Sequence, residues 1–362
     1  DAYPRTNCKD GYEPGALSDR NIDYSPVLSN GQIIFGTSGQ KNAKKIYSLD
    51  LNGKLVWSYG IDGVLESHIK LGSNNRIYFT TATTLYALTD KGTDVKTYPV
   101  VGKLNVPAIG SDGSVYVCSA EGLLALASDL KLKWVFNQTQ NLRTCMSAVD
   151  PKTNVIYFPY KNTEKNIYKL YALNSDGSLK WNTDIYWSES APAIGNDGTI
   201  YVATIDLSVD TKIKTLASRG SGELFAFNPD GTKKWSYNVK PVLTCKKGSD
   251  EDCPDADRWQ SGTAIDGSPT IGSDGTIYFG TDAQTYFALK PDATIKWTYQ
   301  GGDEWDNRAA ISPDGILYAG PKGNFQGGLF AFGDKGGTLA PSQEELEGQQ
   351  KIQNNSTEPG GR

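Results

Sequence analysis

The chain has 362 residues, a formal net charge of −5 and one histidine, His68. No basic stripe interrupts the acidic balance, which argues against nucleic acid as a partner, and no apolar run exceeds strand length, which leaves no transmembrane span of the helical kind. With 39 glycines, 20 tyrosines, 8 tryptophans and a single methionine, the composition is that of strands and tight turns, and the lone His68 nearly excludes histidine-based metal or acid–base chemistry.

Residues 1–24 are polar and loop-like, with Tyr3-Pro4 and Glu13-Pro14-Gly15. A repeating pattern begins at Ser25-Pro26, and its first copy closes with KIYSLDLNGKLVWSY at Tyr59. Further copies run over 69–98, 106–136, 147–183, 191–237, 268–299 and 309–332. The sixth is the most regular, SPTIGSDGTIYFGTDAQTYFALKPDATIKWTY. It reads as strands over 268–271, 276–279, 285–289 and 295–299, with Ser273-Asp274-Gly275 and Pro291-Asp292-Ala293 as turns. The place of Pro269 recurs at Pro26, Ile69, Pro107, Ala148, Pro192 and Ala310. A four-stranded meander cannot bury both faces alone, so the copies must stack on one another. Seven copies at a period of about 40 residues predict an all-β fold, a seven-bladed β-propeller of four-stranded antiparallel blades over 25–337. The wide interval before Pro269 is one blade with two insertions. The seventh copy lacks an outer strand, so part of residues 1–10, within the N-terminal segment 1–24, is expected to complete it and close the ring. Residues 338–362 are a polar C-terminal tail. Ser342 and Glu345 resemble a capping box for a short helix over 342–352, while the composition favours a disordered tail.

The links between first and second strands are short (SDG, NDG, PDG), as are those between third and fourth. Asp-Gly and Asn-Gly supply the positive backbone angles that tight hairpins need. Both turn sets fall on one face. The second-to-third links and the links from blade to blade carry the length, and they fall on the opposite face, where function usually sits.

Units such as APAIGNDGTIYVAT with GELFAFNPDGTKKWSY resemble the pyrroloquinoline-quinone-like (PQQ-like) propeller repeat. The resemblance covers roughly residues 24–333. It implies that the fourth-strand tryptophan packs between adjacent blades; the matching positions are Trp57, Trp134, Trp181, Trp235 and Trp297, with Lys96 in the second copy. The family includes quinone-dependent alcohol and sugar dehydrogenases and non-catalytic outer-membrane assembly scaffolds of the BamB type. The alcohol-oxidising branch implies an adjacent Cys-Cys pair and a Ca²⁺ or lanthanide held by Glu, Asn and Asp. Neither can be placed here, so the non-catalytic branch is the better match and PQQ is not an expected cofactor.

Of the five cysteines, Cys245 and Cys253 bracket the polar loop CKKGSDEDC, a spacing suited to a small disulfide. Adjacent blades could bring Cys118 and Cys145 together, and the plainer alternative is that Cys118 is a small buried hydrophobe. Cys8 is left over. Disulfides would place the protein outside the cytoplasm. A start at Asp1 fits a mature chain whose signal peptide has been removed, as it fits a trimmed one.

Three tryptophans stand outside the repeat position, in YWSES (Trp187, Glu189), DADRWQSG (Arg258, Trp259) and GGDEWDNR (Glu304, Trp305, Arg308). Aromatics beside convergent polar groups are what ligand pockets are made of; the plainer reading is that each tryptophan plugs its loop onto the blade beneath. Arg143, Glu304 and Arg308 precede inner strands and are expected to face the channel. Asp250, Asp252, Asp255 and Asp257 form a weak Ca²⁺ candidate, though the glycine and final glutamate of an EF-hand loop are missing and a solvated loop is the simpler reading. The expectation is an extracytoplasmic, non-catalytic binding or scaffold propeller, in the periplasm, at the cell surface or secreted, that engages an envelope or surface protein through the long-loop face. The alternatives are a PQQ- and Ca²⁺-dependent dehydrogenase, a glycan-binding propeller using Trp187, Trp259 and Trp305, and a filament or surface-layer subunit joined through its tail.

Overall fold

The computed structural model describes residues 24–37, 44–100, 105–137, 145–162, 167–206, 221–239, 243–245, 258–260, 263–301, 304–305, 308–312, 314–321 and 329–333. All regular structure in them is strand. The first blade comprises Val27–Ser29, Gln32–Gly36, Lys45–Asp50 and Leu55–Gly60, paired in that order. Five further four-stranded meanders follow, with inner strands Lys70–Leu71, Ala108–Ile109, Ala148–Val149, Ala193–Ile194 and Thr270–Ile271. The seventh sheet has three described strands, Ala310–Ile311, Leu317–Ala319 and Phe330–Phe332. The fold is a seven-bladed β-propeller of antiparallel meanders. The chain divides into two compact units, Asp1–Thr204 with Phe225–Lys234, and Ile205–Leu224 with Trp235–Arg362. The closing strand expected from residues 1–10 and the tail 338–362 lie outside the described residues.

The burial pattern follows from stacking. The middle strands Val115–Ser119 and Gly122–Leu126 are buried at every position, because neighbouring blades cover both faces. Outer strands such as Leu179–Asp184 alternate between exposed and half-buried residues. Two of the repeat positions shift by one residue. The inner strands begin at Ala148 and Ala310, so the residues in the place of Pro269 are Ser147 and Ala309. Neither carries the proline that marks the register elsewhere.

The turns owe their shape to glycine and their rigidity to aspartate. Gly113, Gly198, Gly275 and Gly315 take φ of 79, 83, 82 and 88°, while the aspartate before each stays at negative φ. Only Asn30-Gly31 is a two-residue turn with both angles positive, at 48 and 74°. Asp274 accepts from Thr276 N at 2.9 Å and Thr276 Oγ1 at 2.7 Å, and Lys296 Nζ lies 3.0 Å away. Asp197 with Thr199 and Lys234, and Asp112 with Ser114 and Lys133, repeat this arrangement. Partial burial pushes the Asp274 carboxyl up, but the bonds from Thr276 and Lys296 outweigh it and hold it at about 2.

The outer-strand tryptophans join blade to blade. Trp57 Nε1 donates to Asp90 O, Trp134 to Ser175 O, Trp181 to Pro229 O and Trp235 to Pro291 O, all at 2.9–3.0 Å. Each acceptor belongs to the third-to-fourth turn of the next blade. The glycine of that turn has no room for a side chain: a Cβ on Gly92, Gly177 or Gly231 would lie 2.7 Å from the indole of Trp57, Trp134 or Trp181. Trp297 stacks instead on Phe332, centroids 5.2 Å apart.

A Cys118–Cys145 disulfide ties the second strand of the third blade to the residues entering the fourth, with Cα atoms 5.8 Å apart. The Cys245–Cys253 pairing and Cys8 lie outside the described residues. Closing a loop of sequence separation 27 should stabilise the fold by about 3–4 kcal/mol. We expect Cys118→Ala/Cys145→Ala to unfold at clearly lower urea than the oxidised wild type. Equal midpoints for the oxidised and fully reduced wild-type protein would remove the bridge from the stability account.

Candidate functional site: the long-loop face

In the first unit, the link after the fourth blade's outer strand runs through Tyr186-Trp187-Ser188-Glu189-Ser190 toward Ala193–Ile194. The segment alternates. Ser188 and Ser190 are buried and bond to each other and to Ala203 O, while Trp187 and Glu189 are half-buried on the other side. Lys161, at the end of the Ile156–Asn162 strand, places its Nζ 3.6 Å from the centroid of the Trp187 ring, a close cation–π contact. The Trp187 Nε1 is buried without a hydrogen-bond acceptor. Tyr186 is exposed at the surface and leans on Phe225, centroids 5.8 Å apart. The structure thus assembles Lys161, Tyr186, Trp187 and Glu189 into one aromatic and charged patch. Lys161 and Tyr186 escaped the sequence reading, which looked only for tryptophans with adjacent carboxylates.

In the second unit, Trp305 is a plug. It is 1 % exposed, donates Nε1 to Gly301 O at 2.9 Å, and packs on Tyr286 and Phe330 with centroids 5.0 and 5.1 Å away. Of the two readings offered for Trp305, the plug is the one realised, and its indole is not available at the surface. The cause is the bare backbone of Gly280, discussed below. Glu304 beside it is half-buried. Arg308 stands two residues before the seventh blade's inner strand. Its side chain is reached by solvent and yet crowded by protein, and the crowding lowers its pKa from the usual arginine value. Arg258 and Trp259 lie in the strand Arg258–Gln260, which pairs with Leu243–Cys245 so that Trp259 is opposite Thr244 and Arg258 opposite Cys245. Arg143 and the candidate Ca²⁺ ligands Asp250, Asp252, Asp255 and Asp257 lie outside the described residues. Among the described residues, no three of His, Cys, Asp and Glu converge in a metal-binding arrangement. His68 is half-buried, accepts from Ser25 N at 3.0 Å and meets Tyr24 edge-on.

The strand order defines the class, a seven-bladed β-propeller with one regular turn face and one face of long, varied links. No known family's sequence profile matches the chain. It is 36% identical over 83 residues to the uncharacterized protein YxaL of Bacillus subtilis, an alignment covering 20% of this chain and 17% of that protein, so the chain matches well under two thirds of its relative's length. BamB of Moraxella catarrhalis aligns in structure with a TM-score of 0.48 at 14% identity, over 84% of this chain and 95% of that one. A protein of unknown function from Bacteroides caccae aligns with a TM-score of 0.43 at 11% identity, over 86% and 93% of the two chains. No described helix is long and apolar enough to cross a membrane.

Proposed function

We propose that this chain is a non-catalytic, extracytoplasmic binding propeller that engages an envelope or surface protein through its long-loop face. The observation that carries the reading is the contrast between the faces. On the turn face, aspartate, hydroxyl and lysine satisfy one another blade after blade. On the opposite face, the Lys161 ammonium has no carboxylate partner among the described residues, and the Trp187 indole N–H has no acceptor. Unspent donors beside exposed aromatic surface are suited to a partner that supplies acceptors. The Cys118–Cys145 bridge supports export, since such bonds persist in oxidising compartments.

The exposed Tyr186 beside Trp187 also favours a second reading, a glycan in place of the protein partner. The quinoprotein alternative fits poorly. The two cysteines of the bridge are buried 27 positions apart in sequence rather than forming an adjacent pair at a cleft. We therefore assign no quinone, and leave Ca²⁺ to the acidic loop 249–257 as a proposal only. Affinity capture from envelope extract tests the binding reading. Wild-type protein should retain a partner that Trp187→Ala and Lys161→Ala each lose at least tenfold, while a turn-face control, Asp176→Ser, retains it. Equal capture by all four proteins would sink the proposal, as would quinone absorbance retained through gel filtration after reconstitution with Ca²⁺. Loss of a glycan-array signal in Trp187→Ala, without any protein captured, would select the glycan.

A further inference from the structure

The outer strand of the first blade differs from its counterparts. In the four-stranded blades that strand is the sheet edge, and edges are ordinarily protected by lysine. The other five conform: Lys96, Lys133, Lys180, Lys233 with Lys234, and Lys296 lie on the outer strands of blades two to six. The first blade's Leu55–Gly60, LVWSYG, has no charge at all. Val56 stands where Lys133, Lys180, Lys234 and Lys296 stand, just before the tryptophan. Its blade also lacks the aspartate those lysines seek, because its first turn is Asn30-Gly31. Leu51, Leu55 and Val56 are left 68, 54 and 51 % exposed.

The free edge has a definite hydrogen-bonding pattern. Ile61 N bonds Lys44 O at 2.9 Å, and the register pairs Tyr59 with Ile46 and Trp57 with Ser48. By alternation, Trp57 and Tyr59 turn their backbone groups inward, and Val56, Ser58 and Gly60 turn theirs outward. Among the described residues, this strand pairs only with Lys45–Asp50.

We propose that this edge is a homodimer interface, in which the Leu55–Gly60 strands of two copies pair antiparallel about a twofold axis at Ser58. That register uses the outward-facing residues alone. Val56 comes opposite Gly60 of the second copy, where there is no side chain to obstruct it. Lys54 comes opposite Asp62, so the charges flanking the strand are complementary. The other five outer strands each carry lysine, so self-pairing would bring like charges to the shared seam. The sequence of the first blade therefore selects a second copy of this chain as the occupant, by absence of repulsion and by end-to-end charge match.

Sedimentation velocity on the full chain tests this over roughly micromolar to several hundred micromolar concentrations, the range suited to a small interface. Wild type should pass from monomer to dimer. Val56→Lys, which restores the lysine of the other blades, should raise the dissociation constant at least tenfold. Ser58→Pro removes the outward N–H at the axis, a place where an edge strand tolerates proline, and should do the same. Both variants are checked for unchanged thermal unfolding, and a variant that fails this check is replaced by Gly60→Val, which fills the place facing Val56. A wild-type protein monomeric throughout overturns the proposal, and so does a dimer that survives either folded substitution.

Discussion

Gly280→Ala should cost the protein about 3–5 kcal/mol, as much as deleting the Trp305 side chain itself. A Cβ built on Gly280 would lie 2.0 Å from Trp305 Cβ and 2.7 Å from Trp305 O. Neither atom is the far end of a flexible side chain, so the link carrying Trp305 must move away. Moving it withdraws an indole that now touches Tyr286, Tyr299 and Phe330 and opens the bond to Gly301 O. The two residues therefore act as one unit. Trp305→Gly alone should lose a similar amount, because it empties the same site. In that background Gly280→Ala should add about 2 kcal/mol less than it costs alone, since one of its two clashes is gone. Urea unfolding of the four proteins gives the cycle. Additive losses, or a Gly280→Ala protein with wild-type stability, would mean that the link is not held as described.

Trp305 also shows where sequence reading stops. Trp187 and Trp305 sit in similar surroundings, each a tryptophan beside carboxylates in a link between blades. Their fates differ because of a one-residue offset. Trp305 lies five residues before its inner strand and Trp187 six. Leu65, also five residues before an inner strand, is buried too, against the bare Gly36. Ser188 holds the fifth place in the link of Trp187 and is likewise buried. In an extended link a shift of one residue turns a side chain from blade to solvent. The parity could be counted only from the true start of each inner strand, which proline does not mark in every blade. The fold was far more legible, because each blade repeats the same Asp-Gly turns and the same outer tryptophan. The Lys161–Trp187 contact was not, since those residues are near only through the pairing of other strands.

The joint between the second and third blades lacks the tryptophan lid, and its replacement should be visible as a strong coupling between two positions. Lys96 occupies the lid place: it pairs with Ala87 as Trp134 pairs with Ala125 and Trp297 with Ala288. Across the joint, Leu130 stands where other blades have the turn glycine, and it holds a φ of 63°. That conformation costs a branched side chain about 1–2 kcal/mol. The return is burial: Leu130 is 4 % exposed and packs with Tyr78, Ala87 and Leu124 in the space an indole would fill. The carbonyl of the turn is still satisfied, because Tyr78 OH donates to Ser128 O at 3.1 Å where Trp Nε1 does so elsewhere. Leu130→Gly should therefore lose about 2–4 kcal/mol to the cavity, offset in part by relief of the backbone. Lys96→Trp alone should lose about 1–3 kcal/mol, since its indole meets the leucine. Together they rebuild the joint found at Trp57–Gly92 and Trp181–Gly231, and the double variant should lie about 2 kcal/mol or more above the sum of the single losses. Urea midpoints at constant slope measure all four proteins. An additive double variant would show that Leu130 fills some space other than the one the tryptophan takes.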